Sequence, residues 1–188
     1  MERAQLKAMA KEQIKGNIGT LFVIMLVYVL ISIGLNAIVG IGSIASLVIS
    51  PALSLAIYGI YLNLACGKKP EISDLFTKFD QLVPALVAQL LIGLFTFLWF
   101  LLLFIPGIIK GISYSMTFYI LAENPGISAT EAINRSKAMM EGHKMEYFIL
   151  QLSFIGWMFL VGITFGIAGI WVAPYINATT ANFYNDIK

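Results

Sequence analysis

The sequence predicts an all-α, polytopic membrane protein: six transmembrane helices in three hairpins, with amphipathic helices on the cytoplasmic side. Three observations carry this. Of 188 residues, 59% are hydrophobic and only 12% charged, against about 25% charged in soluble domains. A soluble domain this short has too much surface for its volume to hide so many apolar side chains. The apolar residues also run in blocks. No charge occurs from residue 18 to 66 or from 81 to 109, and about 20 apolar residues suffice to cross the roughly 30 Å hydrocarbon layer. Finally, the basic residues segregate. With three hairpins, Arg3, Lys7, Lys11, Lys15, Lys68, Lys69, Lys78, Arg135, Lys137, Lys144 and Lys188 share one side, and of the 12 basic residues only Lys110 lies opposite. The positive-inside rule puts the crowded side, with both termini, in the cytoplasm. A five-crossing arrangement would split these residues.

The chain reads as a single transmembrane domain over 1–188. Residues 2–15 form an amphipathic helix, with Leu6, Met9, Ala10 and Ile14 on one face and lysines and Arg3 elsewhere. Such a helix suits the membrane interface and anionic headgroups, or serves only to fix topology. The apolar block that follows is too long for a signal-peptide core, so it is expected to stay in the mature chain. It gives crossings at about 18–39 and 43–66, parted at Gly40-Ile41-Gly42-Ser43. Ser43, Ser46, Ser50 and Ser54 make a small-residue stripe on the second, which favours close helix approach. Cys66, the one cysteine, excludes an intramolecular disulfide and is expected to be a buried thiol. Segment 71–80 reads as a short amphipathic surface helix with Ser73 as N-cap.

The second hairpin has crossings at about 82–104 and 108–122, with Pro106-Gly107 as its turn. Residues 128–146 then read as one amphipathic cytoplasmic helix, opened by the capping box Ser128-Ala129-Thr130-Glu131. The third hairpin has crossings at about 147–165 and 169–185, joined through Gly166-Ile167-Ala168-Gly169.

Several stretches carry a resemblance. LWFLLLFIPGIIKGISYSMTFYILAENP, EAINRSKAMMEGHK, FILQLSFIGW, and APY followed by NFY resemble the bacterial integral membrane family catalogued as domain of unknown function 975. The resemblance spans essentially the whole chain. It implies a helical protein of the cytoplasmic membrane, common in Gram-positive bacteria, and brings no activity, substrate or catalytic residues.

The chemistry-bearing residues are few. Lys110 sits in an apolar run, where a lysine must pair, meet water or snorkel. With Ser113, Tyr114 and Thr117 it makes a polar stripe on the fourth crossing, and Tyr175 with Asn36, Asn63, Gln89, Gln151 and Asn177 could extend it into a ligand or lipid path. The alternatives are a lysine bonded to headgroup phosphate and amides acting as interhelical glue. Ile133, Met139 and Met140 offer a face to a protein partner, or to the bundle itself. Gly107/Gly111 and Gly162/Gly166 have GxxxG spacing. His143 lacks the companions a metal needs, and no hydrolase, zinc or nucleotide motif occurs. No cofactor or metal is expected, and the net charge of +2 does not point to nucleic acid. The expected partners are the bilayer, anionic headgroups, and a membrane or cytoplasmic protein. The reading is a non-enzymatic accessory, scaffold or immunity-type factor; the alternative is a small transporter or channel for a small or lipid-like solute.

Overall fold

A long uncharged run becomes a helix because there each backbone group is bonded within its own segment. The computed structural model describes residues 2–37, 42–102 and 104–188, and every regular element among them is helical. In order these are α1 (Arg3–Ile14), α2 (Ile18–Ala37), α3 (Gly42–Ala65), 3-10 turns at Ile72–Phe76 and Phe79–Gln81, α4 (Leu82–Leu102), α5 (Phe104–Ser113), α6 (Thr117–Glu123), α7 (Ala129–Met139), α8 (Lys144–Leu152), α9 (Ile155–Ile163) and α10 (Gly169–Ile187). Among the described residues, 5 helical stretches are long and apolar enough to cross a membrane: 18–37, 44–65, 72–101, 105–123 and 144–163. The sixth expected crossing is α10. It lies outside that set because its C-terminal half carries Asn177, Thr179, Thr180, Asn182 and Asn185. The turn expected at 40–43 falls partly on residues 38–41, outside the described residues.

Helix α3 is central, with α2, α4, α6 and α10 packed around it. One end of the bundle has a true core, in which Leu55, Ile60, Tyr61, Leu75, Tyr119, Leu121, Ala132, Met140, Leu150 and Phe183 are all buried. Helix α1 completes it. Leu6, Ala10 and Ile14 bury against the protein, mainly α10, and Met9 stays exposed, as do Arg3, Lys11 and Lys15. A pair of amides fixes this contact: Gln13 Nε2 donates to Asn182 Oδ1 at 3.0 Å, and Asn182 Nδ2 donates to Gln13 Oε1 at 2.9 Å.

Five local expectations are corrected. Pro106 and Gly107 are inside α5, not in a turn. Proline is tolerated in a first helical turn because its missing N–H would have been unpaired there anyway. Gly107 is needed for contact: a Cβ there would lie 2.8 Å from Cγ of Phe100, so glycine lets α5 close onto α4. The crossing expected at 108–122 is two helices, α5 and α6, parted at Tyr114-Ser115-Met116. The helix expected at 128–146 ends early. Gly142 adopts φ 87°, a left-handed conformation that glycine takes without a Cβ clash, and α8 restarts at Lys144. Segment 71–80 is a pair of 3-10 turns led by Glu71, whose N–H donates to Asp74 Oδ2 at 3.0 Å; Ser73 bonds the Glu71 carboxylate instead of capping. The Ser128 cap does form, accepting from Glu131 N at 3.3 Å. Cys66 is exposed rather than buried, because it lies past the end of α3.

The third hairpin turns where glycine allows it, with Gly166 at φ 91°. The second hairpin brings a surprise of placement. Helix α5 runs beside the first turn of α8, and Ile105 shares a groove with Lys144 and Met145. Two places that the sequence reading separated across the bilayer therefore lie together.

Candidate functional site: the break between α5 and α6

Residues 113–117 read Ser-Tyr-Ser-Met-Thr. Hydroxyls of this kind compete with the helix for its own carbonyls. Ser113 Oγ donates to Ile109 O at 2.9 Å and Ser115 Oγ to Ile112 O at 2.8 Å. The helix opens here, and a residue of α7 fills the opening. Ser136 Oγ donates to Ser113 O at 2.8 Å and accepts from Met116 N at 3.2 Å. One buried hydroxyl thus serves both sides of the break. Lys137 lies next to it, 5.6 Å from the Tyr114 ring centroid and 5.9 Å from that of Phe95.

The structure joins two sets of residues that the sequence kept apart. Ser113, Tyr114 and Thr117 are buried at the break. Ile133 of α7 and Met140, its C-cap, are buried with them in the core, while Met139 is half-buried. The exposed face of α7 is polar, with Arg135 paired to Glu131 at 2.6 Å. The apolar face offered to a partner is thus turned inward. Lys110 is half-exposed and stands over the Trp99 ring, 5.0 Å from its centroid. Tyr175 belongs elsewhere: it packs against Phe154 and Trp157, with Lys11 Nζ 5.6 Å from its ring centroid. None of the described cavities is lined by Ser113, Tyr114 or Thr117. Irregular backbone in apolar surroundings is tolerated when protein satisfies it, and Ser136 does so here. The break is a buried joint, with Thr117 Oγ1 left without a hydrogen-bond partner.

A similar joint divides α8 from α9. Ser153 Oγ donates back to Leu150 O, and Lys7 Nζ of α1 donates to Ser153 O at 3.3 Å while lying 4.2 Å from the Phe154 ring centroid. Partial burial lowers the Lys7 pKa below that of a free lysine, and the nearby charges of Arg3 and Lys11 push the same way. Each broken apolar helix is thus held by a residue of a neighbouring helix, α7 or α1.

Sequence reasoning missed a third cluster, at the C-terminus. Glu123 accepts from Tyr184 Oη and from Lys188 Nζ, both at 2.6 Å, and Lys78 Nζ donates to Ala122 O at 2.8 Å, capping α6. Asn63, Cys66 and Asn185 line a cavity of about 200 Å³ beside them. The signal in the sequence was Glu123 itself, the first acid after a long apolar run. His143 sits at the start of α8 and pairs with Glu146 at 3.0 Å. Among the described residues, no group of three or more His, Cys, Asp or Glu side chains could hold a metal.

A family model described as "Protein of unknown function (DUF975)" matches residues 1–110 and 100–188. No match is found among curated proteins or among solved structures.

Proposed function

Because the chain belongs to the DUF975 family of proteins of unknown function, we propose from its geometry that it is a non-enzymatic, multi-pass protein of the bacterial cytoplasmic membrane. In this reading it works by interaction, as an accessory, scaffold or immunity-type factor. Helix α9 is the observation that carries it. Ile155–Ile163 is apolar on every side and has no buried residue. A helix of that kind needs cover from lipid or from another helix. The buried faces of Ile133 and Met140 move the interaction surface away from α7 and onto the exposed membrane helices.

Cytoplasmic termini and α10 as the sixth crossing belong to this reading, and the segregation of basic residues supports them. The second hairpin does not keep its expected depth, since Ile105, at its expected outer end, shares one groove with Lys144. A photoreactive residue placed at Phe159 tests the interaction. In native membranes it should capture one discrete protein species, while the same residue at Arg135, on the polar face of α7, should not. Lipid adducts alone at Phe159 would refute the interaction reading. Orientation is tested by the native thiol. Cys66 is exposed, so an impermeant maleimide should label it only from the cytoplasmic side.

The passage of a solute through the polar stripe loses its support with the burial of Tyr114 and Thr117. The lipid-like form of that alternative keeps one observation in its favour, the groove between α5 and α8.

A further inference from the structure

Helix α5 has a second face. Ile105, Ile108, Ile109 and Ile112 recur at spacings of three and four, away from the polar stripe, and line a groove of about 360 Å³. Met145 and Phe148 of α8 form the other wall, and Lys144 is the one charged residue in the lining. The groove opens to the outside: Ile105, Ile109, Met145 and Phe148 are all exposed. It is therefore continuous with the apolar exterior that a bilayer would cover.

Lys144 is unengaged. Among the described residues no hydrogen bond, ion pair or ring contact involves it. The nearest acid on α8, Glu146, is bonded to His143 and lines a different cleft with Arg3 and Leu6, on the other face of the helix. Lys144 also begins α8, where the helix dipole is positive and adds to the preference for an anion.

We propose that this groove seats an anionic phospholipid of the surrounding leaflet, with an acyl chain along the α5 isoleucines and the phosphate on Lys144. The inference rests on the membrane reading above and assigns it a site. An anionic headgroup without an amine leaves its phosphate charge free for the lysine. A zwitterionic headgroup offers its own ammonium in competition.

Native mass spectrometry of the full chain tests this, after reconstitution in vesicles of equal phosphatidylglycerol and phosphatidylcholine. The wild-type chain should retain phosphatidylglycerol about fivefold over phosphatidylcholine, the preference one well-placed lysine can supply. Lys144→Gln should abolish the preference while the protein still reconstitutes. Ile108→Trp, which fills the groove, should lower retained lipid with Lys144 intact. Lys69→Gln, an exposed lysine elsewhere, should change nothing. The proposal is overturned if Lys144→Gln keeps the preference, or if Lys69→Gln removes it equally, which would mark a general basic surface. Replacement of phosphatidylglycerol by added oleate at the same site would refute the phospholipid as occupant. Failure of the wild-type chain to enter vesicles of any composition would sink the membrane reading itself.

Discussion

The two ends of this bundle follow different packing rules. At the end holding α1, α6, α7 and the C-terminal half of α10, aromatic rings interlock: Tyr119 stacks on Tyr184 at 5.4 Å and meets Tyr58 edge-on at 4.7 Å. At the end where α9 turns into α10, Phe159 is 72% exposed and Phe165 97% exposed. Both regions are apolar in sequence. The core end has α1 and α7, each with a buried apolar face, to close it, whereas the far end has only bare apolar helices. Apolar composition alone therefore does not make a core; a covering element does. Both helix breaks are also held from α7 and α1, by Ser136 and by Lys7. These two helices act as the framework onto which the apolar helices are assembled.

Mutations should separate the two ends. Leu121, 0% exposed at the core end, should lose about 2–5 kcal/mol on change to alanine. Ile163→Ala, at a residue 71% exposed at the far end, should stay within about 0.5 kcal/mol. Unfolding in mixed micelles measures both, and equal losses would erase the distinction. A smaller effect is expected at the joint. Ser136→Ala leaves Met116 N–H and Ser113 C=O without a partner and should cost about 1–3 kcal/mol. It should also raise amide exchange at Met116. Unchanged exchange there would show that Ser136 does not hold the break. A smaller change than at the joint is expected at Glu123→Gln. Its pairing with Lys188 is 39% exposed on both sides, so the loss should not exceed about 1 kcal/mol. Faster proteolytic trimming after Tyr184 is the sharper readout, and unaltered trimming would deny the cluster a role in tethering the C-terminus.

Much of the local structure was legible in the residues. Ser128 and Glu131 announced the start of α7, and Gly166 the turn of the third hairpin, because caps and turns depend on neighbours in sequence. The Pro106-Gly107 turn was misread because both residues serve equally well inside a helix, one in its first turn and the other against Phe100. The candidate site was half legible. The polar residues at 110–117 stood out, but their partner Ser136 lies more than a turn beyond the next loop, and nothing local links them. Sequence spacing showed a polar stripe on α5 and overlooked the isoleucine stripe on its other face, since in an apolar run apolar periodicity carries no contrast.

By itself, the sequence determined that this chain is helical, where its apolar stretches lie, and that its charges collect in a few segments. Those properties are sums over neighbouring residues. Only the tertiary structure decided that α1 covers α10, that Ser136 closes a broken helix, and that Lys144 stands at the mouth of an apolar groove on α5. Each of these depends on groups distant in the chain meeting within a few ångströms, and hydropathy, which has no third dimension, cannot encode such a meeting.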